Sequence, residues 1–270
     1  MALRSLRPTR SASVGLAVLA LLAADAFLVE PYRLEVSRYQ VPSAVRQPVV
    51  LAHISDLHSS DFGLRERRLL SALDAARPDV IVITGDSVPD HETGTSPEPV
   101  VQVLRRLRAP LGVFAVLGNW EHWRHVAREP AFWQAAGVTL LVNEARRVRN
   151  DLWVVGIDDA LAGGPDAAAA LAHVPDDAAR VALMHSPEYF DSLPDTGLIV
   201  LAGHTHGGQV RVPGLRPLWL PPGCGPYVEG WYRRGSSRLF VSRGVGTSIL
   251  RARFWCRPEL ALITLVPEHP

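Results

Sequence analysis

Short apolar runs rich in β-branched residues recur along the chain, each followed by a polar or glycine-containing break. Runs of this length and composition are the mark of strands. The pattern predicts strands over Val49–Ile54, Val80–Thr84, Leu111–Leu117, Leu152–Ile157, Arg180–Met184 and Leu198–Ala202. Between several of them the apolar spacing becomes helical: Leu69, Leu70, Leu73 and Ala76 form one stripe, and Val100, Val103, Leu104 and Leu107 another. Strand alternating with helix predicts an α/β fold with largely parallel pairing. After Gly207 the character changes. Prolines and glycines become frequent, and strand-like runs return only at Leu239–Ser242 and Leu260–Leu265. The alanines at 167–170 suit a short helix.

The first thirty residues stand apart. Arg4, Arg7 and Arg10 precede an apolar run from Val14 to Val29 that only Asp25 interrupts. The run lacks a polar face, which argues against an amphipathic helix. It is slightly short of the roughly 20 residues that span a bilayer and slightly long for a signal-peptide core. Ala24-Asp25-Ala26 offers a small-x-small cleavage site. The expected organisation is a signal or membrane anchor over residues 1–30, a linker over 31–46 and one domain over 47–267. Basic residues ahead of the run favour an anchor in the inner or plasma membrane with the domain on the extracytoplasmic side. Arg33, Arg38 and Arg46 on the far flank weaken that asymmetry.

Composition narrows the function. With 47% apolar and 20% charged residues among 270, the chain can bury one sizeable core. A formal net charge of +1 gives no broad field for a polyanion, so no nucleic acid partner is expected and any phosphate affinity must be local. Two cysteines, Cys224 and Cys256, signal neither a disulfide framework nor a thiolate zinc site, and are read as buried thiols.

In open α/β sheets ligands bind beyond the carboxyl ends of the strands. Five predicted strands deliver polar groups there: Asp56 and His58, then Gly85-Asp86, Gly118-Asn119, His185, and Gly203-His204-Thr205-His206. Imidazole, carboxylate and amide oxygen together suit Zn, Mn or Fe. Seven such groups exceed one tetrahedral ion and fit two divalent ions sharing a carboxylate, as in two-metal phosphatases. In Asp56-x-His58 and His204-x-His206 the i, i+2 spacing on extended backbone points both side chains the same way. A single Asp-x-His or Gly-Asp is ordinarily a loop or turn; five such elements in order, each at a strand end, are not.

The series Asp-x-His, Gly-Asp, Gly-Asn, His, Gly-His-x-His resembles that of the calcineurin-like metallophosphoesterases over about residues 47–267. His204-Thr205-His206-Gly207-Gly208-Gln209, with an apolar segment ending in Glu30-Pro31-Tyr32, resembles the membrane-anchored bacterial branch. That branch includes phosphodiesterases and enzymes that cleave UDP-2,3-diacylglucosamine in lipid A synthesis. The resemblance implies a four-layer α/β/β/α sandwich of two mixed sheets. It also implies Asp56, His58 and His206 on one metal, Asn119, His185 and His204 on the other, with Asp86 bridging. The implied reaction is hydrolysis of a phosphodiester or diphosphate bond by a metal-bridging hydroxide, on a substrate that a glycolipid nucleotide would exemplify.

One departure bears on catalysis. Where the family commonly has Gly-Asn-His-Asp/Glu, this chain reads Gly118-Asn119-Trp120-Glu121-His122. A diphosphate leaving group needs less protonation than an alkyl alcohol, so losing the histidine tilts the expectation toward diphosphates or activated esters. His122 is the candidate replacement acid, with Glu121 beside it to orient the ring. The alternative from another class is a non-catalytic metal-binding or phosphate-sensing module, against which the intact ligand set argues.

Other residues carry blander expectations. His53 lies inside a strand as a core residue; His91, His125 and His173 follow no strand end. Trp120, Trp123 and Trp133 are read as packing, Arg105, Arg106 and Arg108 as a solvated helix face, and Asp158-Asp159 as a loop cap. The stretch Pro213–Trp231, with Trp219, Leu220 and Tyr227, is expected to line the site entrance and to meet apolar substrate or membrane.

Overall fold

A computed structural model of the chain describes residues 10–90 and 97–268. Two six-stranded mixed sheets lie face to face. The first is built from β1 (Glu35–Ser43), β2 (Val49–Ile54), β3 (Val80–Thr84), β4 (Val113–Val116), β5 (Thr139–Leu140) and β12 (Glu259–Pro267), in the order β1-β12-β2-β3-β4-β5. The second holds β6 (Glu144–Arg149), β7 (Leu152–Gly156), β8 (Ala179–Leu183), β9 (Ile199–Ala202), β10 (Gly230–Arg234) and β11 (Ser237–Val241), in the order β10-β11-β9-β8-β7-β6. In the first, β2 through β5 pair in parallel and so do β1 and β12; in the second, β11, β9, β8 and β7 pair in parallel.

Strand period explains the layering. In β3, Val80 and Val82 face the second sheet and join Leu51, Val154, Val181 and Leu201 in the central core. Ile81 and Ile83 face the other way, onto Leu69 and Leu73 of α2 (Leu64–Ala76) and Val100, Val103 and Leu104 of α3 (Glu98–Leu104). Both faces are covered, so β3 shows no alternation of polarity and every residue in it is buried. Val155, Ala182 and Val200 on the outer face of the second sheet pack against Ala167, Ala170 and Phe190. The result is the expected four-layer α/β/β/α sandwich.

Residues 31–46, expected as linker, contain β1, which runs parallel to β12 over its whole length. Its mixed sequence, EVSRYQVPS, reflects an edge strand with one solvated side. The strand expected over 111–117 shrinks to Val113–Val116 because Gly112, with φ of 112°, starts the strand only beyond it. Trp133 is fully buried, as expected of packing. Cys224 and Cys256 are both buried and free.

At the amino end, α1 (Arg10–Ala24) runs on through a π-helical turn and a 3-10 turn to Tyr32. Ser13–Tyr32 is one apolar helical stretch of 20 residues, long enough to cross a membrane.

Candidate metal centre and active site

The carboxyl ends of β2, β3 and β4 meet those of β8 and β9 at one edge of the sandwich. A cross-sheet bond fixes the junction: His185 Nδ1 donates to the Thr84 carbonyl at 2.7 Å. The Gly203 N–H donates to the His185 carbonyl at 3.1 Å, tying the two loops of the second sheet together. Close approach leaves no room for side chains at the turns. A Cβ on Gly203 would lie 1.8 Å from Ser55 Oγ and 2.4 Å from Asp56 Oδ2, so only glycine fits.

Two buried clusters result, Asp56 with His58 and His206, and Asp86 with His185 and His204. Within the first, His58 Nε2 and His206 Nε2 are 3.2 Å apart, and His206 Nε2 lies 3.4 Å from Asp56 Oδ1. Within the second, His204 Nδ1 and His185 Nε2 are 3.0 Å apart, and His185 Nε2 lies 3.1 Å from Asp86 Oδ2. The same Oδ2 sits 3.8 Å from His58 Nε2, so Asp86 stands between the clusters.

Outer contacts set the tautomers. His58 Nδ1 bonds the Val88 carbonyl at 3.2 Å, His185 Nδ1 that of Thr84, and His204 Nε2 that of Pro222 at 2.6 Å. A carbonyl only accepts, so each of those nitrogens carries a proton and each inward nitrogen is the one left to face a cation. The inward nitrogens of His185 and His204, 3.0 Å apart, must share a proton or a cation between them, and carbonyl-anchored histidines are the usual support of a metal ligand. Asn119 Oδ1 is buried with no hydrogen-bond partner, an acceptor left for a cation. The donor set of imidazole, carboxylate and amide oxygen fits two divalent ions.

The backbone is bent to the same end. Asp56, His58, Asp86, His204 and His206 all have positive φ, between 42° and 72°. Non-glycine residues rarely adopt that region, and strain of this kind gathers at functional sites. Charge is balanced locally as well. Burial alone would raise the Asp86 pKa, but the His185 ring beside it outweighs burial and brings the carboxyl down to about 2. Burial and the His185 charge push His204 down, and burial with the neighbouring His58 pushes His206 down further. Neutral imidazole is the ligand form.

Glu121 was misread from the sequence. Its carboxylate turns away from His122 and accepts backbone N–H groups from Asp86 at 2.7 Å, Ser87 at 2.7 Å, Val88 at 3.3 Å and Gly118 at 2.8 Å. It therefore shapes the loop that carries Asp86 and the start of α4 (Asn119–Trp123). The one sequence signal was its position two residues beyond Asn119. His122 is bound instead by Asp158, at 2.6 Å, with its side chain 6% exposed. It is not among the residues that line the cavity over the two clusters. Asp158 is both a loop cap, accepting from Gly164 N–H, and the partner of His122.

That cavity, about 480 Å³, has Asp86, Asn119, His204 and His206 at its base. Trp120 packs against the core as expected and also, with the exposed Trp123, forms one wall, their rings edge-on at 5.0 Å. Leu218 and Trp219 line another part, as expected of their stretch. Tyr227 and Trp231 do not: Tyr227 is buried against Phe190, and Trp231 packs on Tyr39 and Phe240. Ile249 and Leu250 line the cavity without having been anticipated. His53 is a core residue, bonded to Thr84 Oγ1 at 2.8 Å and held to a pKa of about 3 by burial. His91 and the His125 side chain lie outside the described residues.

A two-sheet sandwich with two such ligand clusters at one edge defines a dinuclear metal hydrolase. The calcineurin-like phosphoesterase family model matches residues 49–208, and the chain belongs to that family. The chain is 29% identical to the Bacillus subtilis metallophosphoesterase YkuE, covering 88% of this chain and 87% of that protein. It is 31% identical to the Escherichia coli phosphodiesterase YaeI, covering 81% and 83%. It is 26% identical to the UDP-2,3-diacylglucosamine pyrophosphatase LpxG of Chlamydia trachomatis, covering 81% and 84%. The chain is thus a metal-dependent hydrolase of phosphoesters.

Proposed function

We propose that the protein hydrolyses a lipid-linked phosphodiester or diphosphate at a membrane to which Ser13–Tyr32 anchors it. The observation that carries this reading is the cavity: ligand clusters at its base and indole and aliphatic side chains on its walls suit a phosphate joined to an apolar group. The names of YaeI and LpxG, a phosphodiesterase and a glycolipid-nucleotide pyrophosphatase, support the same class.

In this reading Asp56, His58 and His206 would hold one divalent ion, Asn119, His185 and His204 the other, and Asp86 would serve both. When bound, the ions supply Lewis-acid polarisation of the phosphoryl oxygens and an acidified water. The protein's own part is positional. The Val88, Thr84 and Pro222 carbonyls orient three histidines toward the clusters, and Trp120 and Trp219 line the cavity above them. Trp120 offers no titratable proton donor, and no other described residue lining the cavity besides the ligand set ionises near neutral pH. A leaving group that is already a good one, such as a nucleoside monophosphate, suits such a site.

The test is purified full-length protein with Mn, assayed on bis-p-nitrophenyl phosphate and on a diphosphate lipid. Metal-dependent turnover of both is expected, and bound metal with no turnover of either leaves only a metal-binding module. His122→Ala should slow alkyl and p-nitrophenyl esters alike, because Asp158 holds the ring out of the cavity. Selective slowing of the alkyl ester would restore His122 as the acid.

A further inference from the structure

The cavity mouth continues outward into apolar surface. Val210, Val212, Leu215, Leu218 and Trp219 on one segment and Ile249, Leu250 and Trp255 on another are all exposed. The two segments are stitched side by side: Arg211 N–H donates to the Phe254 carbonyl at 2.9 Å, and Gln209 Nε2 donates to the Ser248 and Leu250 carbonyls at 3.1 and 2.7 Å. They make one rim rather than scattered residues, and an apolar rim of this size marks an interaction surface.

The N-terminal helix docks on that same rim. The Ala26 carbonyl accepts the Arg253 N–H at 2.9 Å, and Glu30 Oε1 accepts the Cys256 N–H at 2.5 Å. Trp255 lies between those two tethers and is 62% exposed. The apolar helix and the apolar rim therefore leave the domain from one place, and a bilayer reached by the helix is brought against the rim. Exposed arginines punctuate it, Arg33 at the end of the helix, Arg216 beside Leu215 and Arg257 two residues beyond Trp255. Arginine and tryptophan together favour the headgroup layer, where lipid phosphates meet the cations and the rings meet the upper acyl chains. Aliphatic side chains flanked by cations on one face fit a lipid surface, whose phosphates complement the arginines along the whole rim.

Resting on the anchor reading above, we propose that this rim lies in the interfacial layer of the bilayer that Ser13–Tyr32 enters. The metal-lined cavity then opens into lipid, and an amphipathic phosphoester reaches it sideways, its phosphate toward Asp86 and its tail along Ile249, Leu250 and Trp219. Water-soluble esters enter from the open side and gain nothing from the rim.

Spin labels test this in full-length protein reconstituted into phosphatidylcholine–phosphatidylglycerol vesicles. Leu215→Cys and Trp255→Cys report the rim, Leu19→Cys the helix, and Arg108→Cys a surface ahead of β4, at the other end of the strand. The native thiols are buried and do not compete for label. Collision with oxygen relative to a nickel chelate should be severalfold higher at 19, 215 and 255 than at 108. Bilayer values at 19 with aqueous values at 215 and 255 overturn the rim alone and leave the anchor standing. Aqueous values at 19 overturn both. The readout needs no turnover, so loss of the hydrolase reading would not disturb it.

Discussion

Asp86→Ala is expected to abolish Mn-dependent hydrolysis of bis-p-nitrophenyl phosphate and to reduce bound metal to less than two ions per chain. Its Oδ2 lies 3.1 Å from His185 Nε2 and 3.8 Å from His58 Nε2, beside a ring nitrogen of each cluster. Its Oδ1 accepts the Trp120 N–H at 2.9 Å, so the truncation also frees the start of α4. The activity lost should exceed the roughly 10–100-fold that follows loss of a residue that only orients a ligand. Removing a buried charge from among four histidines has a second effect. His185, which burial would push down, is held well above its ordinary value chiefly by Asp86. Without that carboxylate burial pushes the ring down, toward the form it takes as a ligand, so the metal-free variant is expected to stay soluble. Near-normal turnover with two metals by elemental analysis would show that Asp86 is not shared.

Legibility in the sequence followed burial. Strands covered on both faces, such as β2, β3, β8 and β9, read as mainly apolar runs, with His53 and Arg180 the breaks in β2 and β8, and are recognisable with bounds good to a residue. The strands that were not recognised, β1, β5, β6 and β10, are the four at the sheet edges. There one side is solvated, and the sequences EARRVR and GWYRR mix charge into the run. The ligand set was legible for a related reason. Strand ends sit at fixed points of the chain, and a polar group directly after a buried run has few other reasons to be there. What could not be read was anything set by loop closure. Glu121 points at backbone N–H groups 33 to 35 residues earlier, Asp158 reaches His122 across 36 positions, and Ile249 and Trp219 line one cavity that no spacing encodes. Trp123, read as packing, is an exposed wall instead, because α4 is only five residues long, too short for periodicity to distinguish a wall from a core.

Glu121 should prove as necessary as a ligand, without touching substrate or metal. Its carboxylate accepts four backbone N–H groups, three of them from the loop of Asp86, Ser87 and Val88. That loop places Asp86 at φ of 52°, a conformation it would leave if the acceptor were gone. Burial, and then the Asp86 charge, push the Glu121 pKa up, while the Gly118 N–H works the other way. Glu121→Ala removes every acceptor at once, and each buried N–H left unpaired costs about 1–3 kcal/mol. The sum is comparable with the whole stability of a domain, so this variant is expected to fold poorly. Glu121→Gln keeps the shape and one carbonyl oxygen but turns an amide toward donors. It should fold with a lowered Tm, lose roughly 10–100-fold in Mn affinity, as removal of a ligand-orienting contact does, and recover most of its kcat at saturating Mn. Titrating Mn against activity for wild type and Glu121→Gln, with thermal melts alongside, separates the two effects. A Glu121→Gln variant with unchanged Mn affinity would mean that the Asp86 loop holds its geometry without this carboxylate.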